Sequence, residues 1–205
     1  MSYAEHTLIT VNEQLGIQLA RGDLFVNVSE VEPSAWLRET LAKAEHVPLG
    51  NEKTRSEFLV APILLECQEL SGDRITILSG ERLDVDPQRG LVGVCDFILG
   101  LGPKLPIVQA PLAILLEAKR GVIEDGLGQC AAQMFAAQIF NERKEGRKDV
   151  PVFGCVTSAQ DWQFMRLDAD VLTIDATLYY LPQLGRILGI FKSMLASWGV
   201  AASAA

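Results

Sequence analysis

Apolar positions in the middle of this chain follow two rhythms. In "RITILSGERLDVD" (74–86) and "LVGVCDFILG" (91–100) they alternate or run together, as strands with a buried face require. The intervening "DPQRG" has proline early and glycine last, so the pair predicts a hairpin. "PLAILLEAK" (111–119) predicts a third strand with almost no solvated face, and "VPVFGCVTS" (150–158) and "DWQFMRLD" (161–168) predict two more, joined by a turn at Ala159 and Gln160.

The second rhythm is helical. From Thr54 to about Leu70 the apolar positions Phe58, Leu59, Ile63, Leu64 and Leu65 follow a Thr54/Glu57 capping box, and Pro62 must kink this helix or open a second one. A loop carrying Gly121, Gly126 and Gly128 leads to the helix "QCAAQMFAAQIFNERKE" (129–145), which ends at Gly146. Leu184, Ile187, Leu188, Phe191 and Leu195 give "LPQLGRILGIFKSMLASW" (181–198) one apolar face, which either caps the core or pairs with a second copy in a homodimer. Upstream, "DLFVNV" (23–28) reads as a strand and "SAWLRETLAKAE" (34–45) as a helix opened by Pro33 and Ser34. The order predicts an α/β fold, a central mixed sheet flanked by helices. Residues 1–53 elaborate the N-terminus of the domain, 54–168 form its core, and 169–205 add the last helix and a frayed tail, "GVAASAA".

Composition narrows the function. With 205 residues, 49% of them hydrophobic and 21% charged, the chain is long and apolar enough for a sizeable core. A net charge of -8 argues against coating nucleic acid by bulk electrostatics, though a local basic groove stays compatible with it. Cys67, Cys95, Cys130 and Cys155 form no CxxC pair and read as reduced thiols of a cytoplasmic protein. The opening "MSYAEHTLIT" lacks the order of a signal peptide, and no apolar run approaches the ~20 residues that span a bilayer. With only His6 and His46, and without GxSxG or HExxH, serine hydrolases and zinc proteases recede.

Two places break the apolar pattern. The strand 111–119 ends in Glu117, Ala118 and Lys119, whose period of two puts both charges on one face. In the preceding strand Asp96 stands in the row Val92, Val94, Asp96, Ile98. A buried carboxylate is costly without a cation, so Asp96 and Glu117 each need a cationic neighbour or converge on a metal. Strands lie ~4.8 Å apart, so two such groups can share one hard divalent ion, Mg²⁺ or Mn²⁺, and such a site suits phosphate esters.

Asp96, then Glu117-Ala118-Lys119 on the next strand, with a helix bearing Glu57 before and a glutamine-bearing helix after, resembles the PD-(D/E)XK nuclease superfamily, the restriction endonuclease-like fold. The likeness covers about residues 54 to 168, and the family's order of helix, three strands, helix, strand matches the elements read above. It implies a metal-dependent nuclease that hydrolyses DNA, with Asp96 and Glu117 as ligands of Mg²⁺ (or Mn²⁺), Lys119 as the catalytic lysine and Glu57 as an additional acid. It also implies a role near the substrate for Gln129 and Gln133. No proline precedes Asp96, where members of the family often carry one.

Plainer readings stand beside these. Glu117 and Lys119 can be an ion pair at a strand end, Glu57 a cap, and Gln129 with Gln133 a polar helix stripe. Asp86 suits its turn, and Arg143, Lys144, Arg147 and Lys148 suit a solvated helix end or a phosphate contact. "DGLGQCAAQ" imitates a dinucleotide loop but starts too far from its strand. The rival function is a catalytically inactive nuclease-fold protein acting as a binding or assembly module.

Overall fold

A computed structural model of the chain describes residues 1–146 and 150–200; Arg147, Lys148 and the tail 201–205 lie outside the described residues. Eight strands form one mixed sheet: β1 (Gln18–Gly22), β2 (Thr76–Arg82), β3 (Val94–Gly100), β4 (Leu112–Ala118), β5 (Val152–Thr157), β6 (Asp161–Asp168), β7 (Val171–Asp175) and β8 (Tyr179–Tyr180). They lie in the order β1-β7-β6-β5-β4-β3-β2, with β8 against β6. The pairs β4/β5 and β1/β7 are parallel and the others antiparallel. The helices are α1 (Leu8–Leu15), α2 (Ala35–Ala44), α3 (Glu52–Arg55), α4 (Ala61–Leu70), α5 (Glu124–Glu145) and α6 (Leu184–Ala196). The predicted α/β class, hairpin and central strands are therefore present, and among the described residues no helix is long and apolar enough to cross a membrane.

Every residue of β4 is buried, because the central strand is covered on both faces. On one face Gly154 and Val156 of β5 lie under α5: a Cβ on Gly154 would fall 2.3 Å from Met134 Sδ. On the other face Trp162 and Phe164 of β6 meet Phe191 of α6 edge to face, with ring centroids 6.1 and 5.6 Å apart. The apolar side of α6 is used within its own chain: Ile187, Leu188, Phe191 and Leu195 are all buried there, so the helix caps the core, the first of the two uses its pattern allowed.

Four sequence expectations change. "DLFVNV" is a turn rather than a strand, because Arg186 of α6 gathers the carbonyls of Phe25, Val26 and Val28. The N-terminal strand is β1, an exposed edge that exists by pairing with β7, itself a strand in the C-terminal segment. Helix α5 begins at Glu124, so Gly126 and Gly128 are helical and not loop residues. A Cβ on Gly126 would lie 2.7 Å from Val156 Cγ1, and one on Gly128 would lie 2.4 Å from Thr7 Cα, so close approach to the sheet and to the N-terminal backbone excludes a side chain. Finally, Thr54 and Glu57 form no capping box. Asn51 opens the helix instead, accepting from Thr54 N at 2.8 Å and Thr54 Oγ1 at 2.9 Å, which leaves Thr54 inside the first turn. Pro62 has no N–H to donate, and a π turn at Ser56–Val60 precedes it before α4 resumes the ordinary helix.

Candidate metal centre

The hairpin register decides where the acidic groups meet. Ile98 pairs with Leu115 and Phe97 with Leu116, so the next step outward sets Asp96 across from Glu117. Regular pairing stops there, and Asp96 Oδ2 accepts the Ala118 N–H at 2.8 Å. On the other side of β3 the pairs Ser79/Phe97 and Glu81/Cys95 flank Gly80, whose φ of +69° turns it out of the ladder opposite Asp96. The sheet is loosened on both sides of this aspartate.

Glu117 is buried on the α5 side of β4, beside Val156 of β5. Burial and the nearby Asp96 charge push its carboxyl from 4.5 up to about 7. Asp96 is also raised, by burial first and by the charge of Glu52, against the Ala118 N–H and a hydrogen bond from the Glu117 carboxyl. Two carboxyls close enough to share a hydrogen bond, with one driven toward its neutral form, mark a place short of positive charge.

Lys119 supplies part of that charge. Its N–H donates to Thr157 O at 2.8 Å, continuing the β4/β5 ladder by one residue. Its Nζ donates to Glu117 Oε1 at 2.8 Å and to Gln129 Oε1 at 2.9 Å. Burial works to lower the lysine, and the charges of Glu117, Glu52 and Asp96 outweigh it, so the group is held as an ammonium. Gln133, fully enclosed, donates through Nε2 to Glu117 Oε2 at 2.9 Å. Gln129 and Gln133 are therefore turned toward Lys119 and Glu117 of their own chain rather than forming a surface stripe.

Glu57 stands apart from this group. Its carboxylate is more than half exposed and lies 3.7 Å from Lys53 Nζ, although it lines the same cleft as Asp96. The third acidic charge felt by both Asp96 and Lys119 is Glu52, in the first turn of α3. Sequence reading missed Glu52 because it started the helix at Thr54; Asn51 as a cap was the available signal. Arg55, three residues on, fastens this helix to the site by donating to Leu49 O at 3.0 Å, Arg120 O at 3.1 Å and Ser158 O at 3.4 Å.

The other charged candidates have structural duties. Asp86 Oδ1 accepts the N–H groups of Gln88 and Arg89 and caps its turn. Arg143 donates to Val85 O at 2.8 Å, and Lys144 lies over the Phe140 ring. The four cysteines are free and buried, and burial raises each thiol.

As a donor set the site offers carboxylate oxygens, which suit Mg²⁺ and Mn²⁺ with water completing the shell. Among the described residues no group of three or more His, Cys, Asp and Glu side chains is arranged to hold a metal ion. What the fold brings together is two acids, Asp96 and Glu117, with a lysine beside them and a third acid, Glu52, within electrostatic reach. No family model matches the chain, and no curated protein matches it.

Proposed function

We propose that the chain is a metal-dependent nuclease hydrolysing DNA phosphodiester bonds, with the PD-(D/E)XK, restriction endonuclease-like arrangement as its fold. The observation that carries this reading is the meeting of Asp96 and Glu117 across two adjacent strands with Lys119 Nζ 2.8 Å from Glu117. The order α4, β2, β3, β4, α5, β5 supports the fold assignment, since it is the order the resemblance implies.

Asp96 and Glu117 would hold Mg²⁺, which when bound polarises a phosphoryl oxygen and acidifies water. Glu117 is aimed by Gln133, and it gives up its proton as the pH rises past about 7, so a cation is held best above that point. Lys119, steadied by Gln129, stabilises the negative charge that grows on the phosphate during attack. Glu52 adds a negative charge that favours both the cation and the ammonium.

The inactive binding module is favoured by one observation: both Glu117 oxygens are already engaged, by Lys119 and by Gln133. Mn²⁺ titration separates the two readings. The nuclease predicts binding by the wild type that is lost in Asp96→Asn and hydrolysis of DNA in Mg²⁺ or Mn²⁺; the module predicts neither.

The same titration ranks the outer acids. Glu52→Gln is expected to weaken Mn²⁺ binding about 3- to 10-fold, and Glu57→Gln less than about twofold, because the Glu52 charge acts on both Asp96 and Lys119 whereas Glu57 lies beside Lys53. The reverse ranking would restore Glu57 as the additional acid.

A further inference from the structure

Asp96 and Glu52 also border a cleft of about 410 Å³ between the α3/α4 helix and the β2/β3 edge. Resting on the nuclease reading, we propose that this cleft takes one unpaired nucleobase of the strand to be cut, so that the substrate is single-stranded DNA or a frayed end rather than continuous duplex.

Its walls are apolar: Ala61 and Leu65 on the helix face Ile77 and Phe97 on the sheet. Phe97 is buried and Ala61 and Ile77 pack on the core, whereas Leu65 remains 48% exposed at the mouth of the cleft. Among the residues lining these walls Glu52, Glu57 and Asp96 stand against one cation, Lys53, already beside Glu57, with Lys119 lying beyond the lining at Glu117. Arg55 is committed to three carbonyls.

Duplex binders draw their affinity from rows of cations set against phosphates. Three carboxylates against one ammonium, on a chain of net charge -8, oppose that mode. A splayed base suits the walls better than a paired one, since it offers them two apolar faces and a polar edge, and its stacking adds affinity of a kind that cations do not supply. The edge finds polar company at Ser79 and at Gly80, which is turned out of the ladder with nothing within 4 Å of where its Cβ would be.

The test is fluorescence anisotropy of a labelled short single strand and of its duplex, in EDTA and in Mg²⁺, alongside hydrolysis of both. The wild type is expected to bind the single strand at least about 10-fold more tightly, with a shallow salt dependence. Leu65→Ser, at a half-exposed position, is expected to weaken single-strand binding about 5-fold or more and leave the duplex unchanged. Ser79→Leu, which fills the cleft from the opposite wall, should do the same if each variant melts like the wild type. Equal binding and cutting of duplex, or indifference to both variants, overturns the base cleft and leaves the nuclease standing. Single-strand binding that responds to the variants without hydrolysis supports the cleft and overturns the nuclease. Absence of binding and of hydrolysis overturns both.

Discussion

Lys119→Met is expected to lower DNA hydrolysis by about 10²- to 10³-fold, the range seen when a preorganised charge is removed from a reacting oxyanion. Methionine keeps most of the aliphatic stem, which matters because the stem packs under α5: a Cβ on Gly126 would lie 2.9 Å from Lys119 Cε. The fold should therefore survive and the ammonium alone be lost. Metal binding gives the readout that a merely structural lysine would not. Because Nζ donates to Glu117 Oε1 at 2.8 Å, it competes with a cation for that oxygen, so the variant should bind Mn²⁺ as well as the wild type or better. Arginine should not rescue the rate, since its broad guanidinium meets the same close helix. An unchanged rate in Lys119→Met would remove the lysine from the chemistry; weaker Mn²⁺ binding would make it a support for Glu117 instead.

What the sequence showed of this site depended on local contrast. Glu117 and Lys119 emerge from the apolar run 112–116, and Asp96 interrupts another such run, so a reader of the chain meets them as anomalies. Their faces follow from the strand period, and β4 and the β2/β3 hairpin follow from their own residues. Glu52 gives no such contrast. It is one glutamate among charged neighbours in "NEKTRSE", and its part depends on Asn51 rather than Thr54 winning the cap.

The parts of the fold that were not legible escaped for the same kind of reason. "DLFVNV" has strand composition, yet its carbonyls are drawn into a turn by an arginine about 160 residues away. The exposed β1 has no buried row to announce it and is defined by β7. Gly126 and Gly128 suggest a loop by propensity, and only the nearness of Val156 and of the Thr7 backbone turns them into contact points of a helix. Each miss is a case in which a distant partner overrode a local preference.

Glu117→Gln should have two opposite effects in one variant, stabilising the metal-free protein and abolishing the site. The folded protein holds a proton on Glu117 up to about pH 7, whereas an unfolded glutamate loses it near 4.5. The stability contributed by that bound proton is complete below 4.5 and is lost as pH rises through about 7, up to about 3 kcal/mol for a shift of this size. Glutamine cannot ionise; its one oxygen still accepts from Lys119, and its NH2 can donate to Gln133 Oε1, which has no other partner among the described residues, once that amide turns over. In EDTA the variant should therefore melt above the wild type at about pH 8, with the two converging toward about pH 5. It should also lose Mn²⁺ binding and hydrolysis, because a neutral amide replaces one of two anionic ligands. A variant that melts lower than the wild type at the alkaline end would mean that the Lys119 pair outweighs burial and Asp96. A variant stabilised by Mn²⁺ as strongly as the wild type would mean that Glu117 is no ligand, and the meeting of the two strands would then be an ion pair and nothing more.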